Sequence, residues 1–239
     1  MSGIMQSVVS NWNPPANIAH LVLDLDAANY SAVPVDGTTI LGAGNYPITV
    51  KNSGGNISWN SSNGGVFRVT TPSTTDFFTF GPDYSSGTQA FTVGMAYKWN
   101  GATAGRLLNA NSPTPDFLMG LWGSSTCLMN IAFAGTFCGS TSTTADNNWH
   151  FIWFSCTGTN SATRAKSYIA TDTAPSGTYG TSNTNGGFNG LRLWGRYVNA
   201  TVNSEEVDAD IGFVKVWDGE LSLSQIQTQH ALYKTRFGY

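Results

Sequence analysis

Charge is scarce in this sequence of 239 residues: only 10% are Asp, Glu, Lys or Arg, against about 25% in an ordinary globular domain. The net charge is −3, and the basic residues stand singly. That excludes the clustered cationic surface by which proteins hold nucleic acid or anionic lipid. Glutamate is rarest, with only Glu205, Glu206 and Glu220. The three histidines, His20, His150 and His230, are far apart and form no HxxxH or HExxH spacing, so no zinc motif is present. Cys127, Cys138 and Cys156 form no CxxC. They read as three buried thiols, though Cys127 and Cys138 could face each other across a hairpin as a disulfide. No stretch approaches the roughly 18 apolar residues of a membrane helix. The opening lacks both a positive n-region and a long apolar run, so it reads as no signal peptide and predicts synthesis without export. There is no GxSxG elbow and no phosphate-binding loop.

Aromatics, by contrast, reach 13%, with eight Trp, and there are 27 Gly. This mix suits many short strands joined by turns, and it excludes disorder, which needs few aromatics. Residues 1–19, with Asn13-Pro14-Pro15, read as an N-terminal arm or linker. Residues 20–239 read as one domain. In "HLVLDLD", Leu21, Leu23 and Leu25 share one face, with Val22, Asp24 and Asp26 on the other. In "AFTVGMAYKWNG", Phe91, Val93, Met95, Tyr97 and Trp99 alternate with small or polar residues before an Asn-Gly turn. "FIWFSC" is apolar on both parities and predicts a central strand covered on both faces. Many strands without intervening helices predict two packed antiparallel sheets.

The stretch "DADIGFVKVWDGELSLSQIQ" differs from the rest. Ile211, Phe213, Lys215 and Trp217 fall on one parity of a strand. Asp218-Gly219 makes a turn. Ser222 and Gln225 then form a capping box, and Leu221 and Ile226 a hydrophobic staple. Ile226, His230, Tyr233 and Phe237 line one helical face, and Gly238 can end the helix. The helix is expected to lie against the sandwich.

These closing residues, "IGFVKVWDGELSLSQIQTQHALYKTRFG", resemble the final strand and short helix of laminin-G-like, concanavalin-A-like jelly rolls. "QAFTVGMAYKWNGATAGRLLN", "NNWHFIWFSCTG" and "LRLWGRY" resemble other strands of that family in order. The opening "LVLDLDAANYSAVPVDGTTI", with "ITVKNSGGNISWNSSNGGVFRV", is similar to laminin-G-like modules of tailed-bacteriophage virion proteins. The resemblance implies an all-β, two-sheet antiparallel jelly-roll sandwich with a short C-terminal helix. It also implies a non-enzymatic virion structural protein, such as a capsid decoration, neck or tail-fibre component, located in the virion. Such a protein would dock with other virion proteins and form homo-oligomers.

Family 16 glucanases share this architecture and carry Glu-x-Asp-x-x-Glu, which is absent here. Asp208 with Asp210, and Asp24 with Asp26, share strand parity but read as entry, edge or turn carboxylates. No cofactor is expected. Laminin-G-like domains can bind calcium through loop carboxylates, and Asp76, Asp83, Asp116 and Asp146 are the loop candidates. The alternative function is a lectin-like module for host surface glycans. Its candidate stacking residues are Trp99, Trp122, Trp194 and Tyr197, together with Trp59, all near polar loops.

Overall fold

The computed structural model describes residues 19–41, 46–71, 73–84, 89–100, 105–111, 117–122, 128–133, 136–140, 146–157, 165–169, 177–179, 188–199 and 202–238. Of these, 41, 121–122, 128–133, 136–140, 169, 177–179, 197–199 and 202–204 are described by backbone alone. The strands in chain order are β1 (Leu21–Asp26), β2 (Thr39–Leu41), β3 (Pro47–Asn52), β4 (Ile57–Asn60), β5 (Val66–Val69), β6 (Asp76–Asp83), β7 (Phe91–Trp99), β8 (Gly105–Ala110) and β9 (Phe117–Trp122). There follow β10 (Leu128–Phe133), β11 (Thr136–Ser140), β12 (Trp149–Cys156), β13 (Ala165–Ile169), β14 (Gly177–Tyr179), β15 (Asn189–Leu193), β16 (Arg196–Asn199), β17 (Val202–Ser204) and β18 (Ala209–Trp217). One helix, α1 (Leu223–Phe237), comes after them.

The strands form a two-sheet antiparallel jelly-roll sandwich. One sheet runs β14-β13-β12-β7-β18-β5-β4, with β1 also paired to β18. The other runs β11-β10-β9-β8-β15-β6-β3-β2, and β16 and β17 make a separate hairpin. The main core lies between the sheets. Val93, Met95, Ile211 and Val214 from the first meet Ile48, Phe78, Leu108 and Leu191 from the second. A smaller core lies on the outer face of the first sheet, where α1 covers Ala96, Phe151, Trp153, Phe213 and Trp217.

Strand alternation explains this division. Phe91, Val93, Met95, Tyr97 and Trp99 of β7 all point into the main core, while Ala96 faces the helix. In β12, Ile152, Phe154 and Cys156 face inward, and Phe151 and Trp153 face α1. β12 is therefore covered on both sides, as its double apolar parity predicts. β18 departs from expectation. Ile211 joins the main core, yet Phe213 and Trp217 face the helix. The β18–β7 register shifts between Ile211 and Phe213, so a bulge at Gly212 inverts the parity from there on. The absent side chain matters, because a Cβ on Gly212 would overlap the Phe237 ring. Phe237 lies over this glycine.

Helix α1 starts as its sequence specifies. Ser222 Oγ accepts from Gln225 N, and Gln225 Oε1 accepts from Ser222 N at 2.8 Å. Gly238 ends the helix with φ 83°, a left-handed conformation that glycine adopts without steric cost. Ile226, His230 and Phe237 are its buried residues. One ion pair joins α1 to β1, through Arg236, and a second joins β18 to β1 beneath the helix, through Lys215. Lys215 Nζ lies 2.6 Å from Asp24 Oδ2, and Arg236 Nη1 lies 2.6 Å from Asp26 Oδ1. Asp26 Oδ1 also accepts from Ala28 N at 2.9 Å.

These buried groups set an alkaline limit. Burial raises the hydroxyls of Tyr30, Tyr84, Tyr168 and Tyr233 above their ordinary 10.0. Burial opposes protonation of Lys215, but the Asp24 carboxylate and Tyr233 together outweigh it and lift the ammonium above 10.5. Each group keeps its proton in the folded protein to a higher pH than in the unfolded chain. Above about pH 10 the unfolded chain binds fewer protons, so stability falls as pH rises. Thermal melts at pH 8 and pH 11 should show a clear drop in Tm at the higher pH. A level Tm would contradict this.

Candidate functional site

The predicted aromatic platforms fall mostly in the core. Trp99 is 1% exposed because it ends the inward parity of β7. Trp194 is also 1% exposed; its Nε1 donates to Ala209 O, and its ring meets Phe78 edge-on at 5.3 Å. Neither presents a face on which a sugar can stack, and this corrects the expectation for both. Trp59 is half-buried, with Nε1 donating to Ala27 O at 2.9 Å. Trp122 and Tyr197 belong to strands β9 and β16, and their side chains lie outside the described residues.

The aromatic side chain that lines an open cleft is instead Trp149. The cleft encloses about 380 Å³ and is walled by Asp146, Asn147, Asn148, Trp149, His150, Phe237 and Gly238. The local sequence builds it. Asp146 Oδ1 accepts from Asn148 N at 2.9 Å, the turn that Asp favours with its own backbone. Asn147 takes φ 57°, which Asn tolerates better than most residues. β12 begins directly after this turn, so Trp149 and His150 emerge at its edge. The indole is held from two sides: its ring lies 4.4 Å from that of Phe237, and its Nε1 donates to Asn63 Oδ1 at 3.2 Å. Asn63 is fixed in turn, donating from Nδ2 to Arg236 O at 2.9 Å.

His150 Nε2 lies 2.8 Å from Asp146 Oδ1, and its ring packs against Tyr97 at 5.6 Å. Burial alone would raise the Asp146 carboxyl, but the hydrogen bonds from His150 and Asn148 outweigh it and hold the group below its ordinary value. Asp146 is therefore an ionised acceptor at neutral pH. An aromatic face beside a carboxylate, two amides and an imidazole can take a ligand with one apolar C–H face and a rim of hydroxyls. The volume falls in the range of small-molecule sites, about 300–1,000 Å³. Sequence reasoning separated these residues, placing Asp146 among calcium candidates and His150 among scattered histidines with no metal spacing. The signal that could have joined them is the run Asp-Asn-Asn-Trp-His, a turn emptying directly into a strand.

A second cleft, about 460 Å³, is walled by Lys166, Tyr168, Glu220, Ser222, Leu223 and Gln225. Lys166 and Glu220 pair across it at 2.6 Å. Tyr168 is 4% exposed and offers no platform.

Of the paired acids, Asp24, Asp26 and Asp210 are each occupied by a basic partner. Asp210 is 2% exposed and receives Arg68 Nε at 2.6 Å, Arg68 Nη2 at 2.5 Å and Asn100 Nδ2 at 2.9 Å. Burial raises the neighbouring Asp208 carboxyl. Asp24 and Asp26 lie beneath α1 in the ion pairs described above, not at a solvent edge. Asp76 accepts from Gly54 N at 2.8 Å and from Asn56 Nδ2 at 2.6 Å, which shapes the turn after β3. Asp83 is exposed at the end of β6, and Asp116 lies outside the described residues. Among the described residues, no three His, Cys, Asp or Glu side chains converge. Cys156 is a buried thiol. Cys127 and the Cys138 side chain lie outside the described residues, as does residues 1–18 of the arm.

No protein-family model matches this sequence, and none of the curated proteins matches it. Solved structures do match in fold. A Trypanosoma rangeli sialidase mutant with trans-sialidase activity is similar at 12% identity and TM-score 0.61, over 92% of this chain and 34% of that one. This chain thus spans about a third of the sialidase. Domain 4 of AbnA, a GH43 extracellular arabinanase from Geobacillus stearothermophilus solved with arabinotriose, is similar at 17% identity and TM-score 0.54, over 88% of this chain and 98% of that one. The receptor-binding domain of botulinum neurotoxin D is similar at 13% identity and TM-score 0.59, over 88% of this chain and 52% of that one. The fold is thus one that is also found in binding domains. At these identities the likeness extends to the fold alone.

Proposed function

We propose that this protein is a carbohydrate-recognition module that binds sugar at the Trp149 cleft. The observation that carries the proposal is the Trp149 indole, held by Phe237 and Asn63 beside Asp146, Asn147, Asn148 and His150. Support also comes from the fold, shared with an arabinanase domain solved with arabinotriose and with a toxin's receptor-binding domain. The reading is binding without turnover, since Asp24, Asp26 and Asp210 are each held by a basic partner.

A glycan array followed by calorimetry on the best hit tests it. Trp149→Ala should weaken that hit about tenfold or more. Asp146→Ala, at a residue that is largely surface, should weaken it with the fold intact by circular dichroism. Undiminished affinity in both variants would remove the cleft as the site.

The virion role implied by the opening segment rests on that resemblance alone. Those residues shape the fold here: Asp26 bonds Ala28 N and Arg236, and Ala27 O accepts from Trp59. A module of this kind could serve on a phage particle among other virion proteins and as a homo-oligomer. A mass-spectrometric inventory of purified particles checks that placement.

A further inference from the structure

We infer that the ligand is a linear oligosaccharide of three or more sugars, which runs from the Trp149 cleft across the strands of the helix-bearing sheet. This rests on the carbohydrate reading and specifies the length and path of the ligand. The strand register carries it. Trp149 of β12 stands opposite Lys98 of β7. Lys98 stands opposite Asp210 of β18, Asp210 opposite Arg68 of β5, and Arg68 opposite Ser58 of β4. Their strand neighbours Tyr97, Trp99, Ile211, Phe67, Val69 and Ile57 all point into the main core. By alternation, Lys98, Asp210, Arg68 and Ser58 share the outer face with Trp149.

The five residues therefore form one row at right angles to the strands. Four ladder steps of about 4.8 Å make it about 19 Å long, the reach of a tri- or tetrasaccharide. Helix α1 does not extend over the row. It ends at Phe237 and Gly238, which wall the Trp149 end. Asn63, joined to both Trp149 and Arg236, bounds the same side. Lys98 and Arg68 are half-buried and Ser58 is exposed. After the aromatic platform the row presents the Lys98 ammonium, the Arg68 guanidinium, anchored from below by the buried Asp210, and the Ser58 hydroxyl. Polar groups of Lys98, Arg68 and Ser58 thus recur along the row, which suits the repeating hydroxyls of a sugar chain. The Arg68–Asp210 pair is bidentate, at 2.6 and 2.5 Å, so this part of the floor is rigid before any ligand arrives.

The test is a chain-length series by calorimetry with arabino-, cello- and galacto-oligosaccharides, each from monomer to pentamer. In the series that binds, affinity should rise about tenfold or more between monomer and tetramer and then level off. Lys98→Ala should flatten that rise, leaving the tetramer little better than the monomer. Equal affinity for monomer and tetramer, or a rise that Lys98→Ala leaves intact, overturns the extended path while the cleft stands. If no length of any series binds, and the array is also blank, the carbohydrate reading itself fails.

Discussion

Lys215→Ala is expected to lower stability by about 3–5 kcal/mol, the usual cost of breaking a buried ion pair from one side. Lys215 is 3% exposed, lies 2.6 Å from Asp24 Oδ2, and sits 5.1 Å from the centre of the Tyr233 ring. Asp24 Oδ1 is buried with no hydrogen-bond partner among the described residues. Removing the ammonium leaves that carboxylate beneath the helix beside Asp26, with Arg236 already engaged by Asp26, Asn63 O and Gly65 O. For a chain of this size the melting temperature should fall on the order of 10 °C. The double variant Asp24→Leu/Lys215→Met should recover most of the loss, because it removes both desolvated charges together. Urea melts of the two variants decide it: a single variant as stable as the parent would refute the buried-pair account.

Phe237→Ala is expected to cost a comparable amount, roughly 3–5 kcal/mol for truncating a buried aromatic. The ring meets Trp149 at 4.4 Å, Phe151 at 5.6 Å and Phe213 at 6.4 Å, and it occupies the space left by Gly212. It is also one wall of the cleft. Stability and sugar affinity should therefore drop together, whereas Lys215→Ala should change stability far more than affinity. Denaturation and calorimetry on both variants separate the two effects. Full affinity in Phe237→Ala would show that Trp149 needs no support from the helix.

The helix was legible because its signals are local. Ser222, Gln225, Leu221 and Ile226 act within a few residues of one another, Gly238 acts on the turn it ends, and the structure realises each of them. The β7 and β12 patterns were legible for the same reason, since period-two alternation needs no knowledge of partners. β18 was not, because a bulge at Gly212 depends on pairing with β7 and on the ring that lies over it. The binding residues were the least legible. Trp99 and Trp194 adjoin polar loops in sequence yet point into the core, because nearness to a loop does not decide which way a strand residue faces. Asp146, Trp149 and His150 lie close together in the chain, but the cleft they line forms only once the end of α1 brings Phe237 and Gly238 against them. The row from Trp149 to Ser58 is a property of register across five strands, and no short stretch contains it.

Strand β18 lies at the centre of its sheet, between β7 on one side and β5 and β1 on the other, although it follows every other described strand in the chain. During synthesis the earlier strands leave the ribosome before the piece that joins them exists. Until it emerges, β1 and β5 have no neighbour on that side, and until α1 follows it, Phe151 and Trp153 on the outer face of β12 lack their cover. Final assembly must then wait until every other described strand has emerged, a late, long-range closure of the kind that slows maturation and invites clumping of nascent chains. A ribosome stalled just short of Ala209 should carry a protease-sensitive, chaperone-bound intermediate, and one stalled well beyond Phe237 a resistant product.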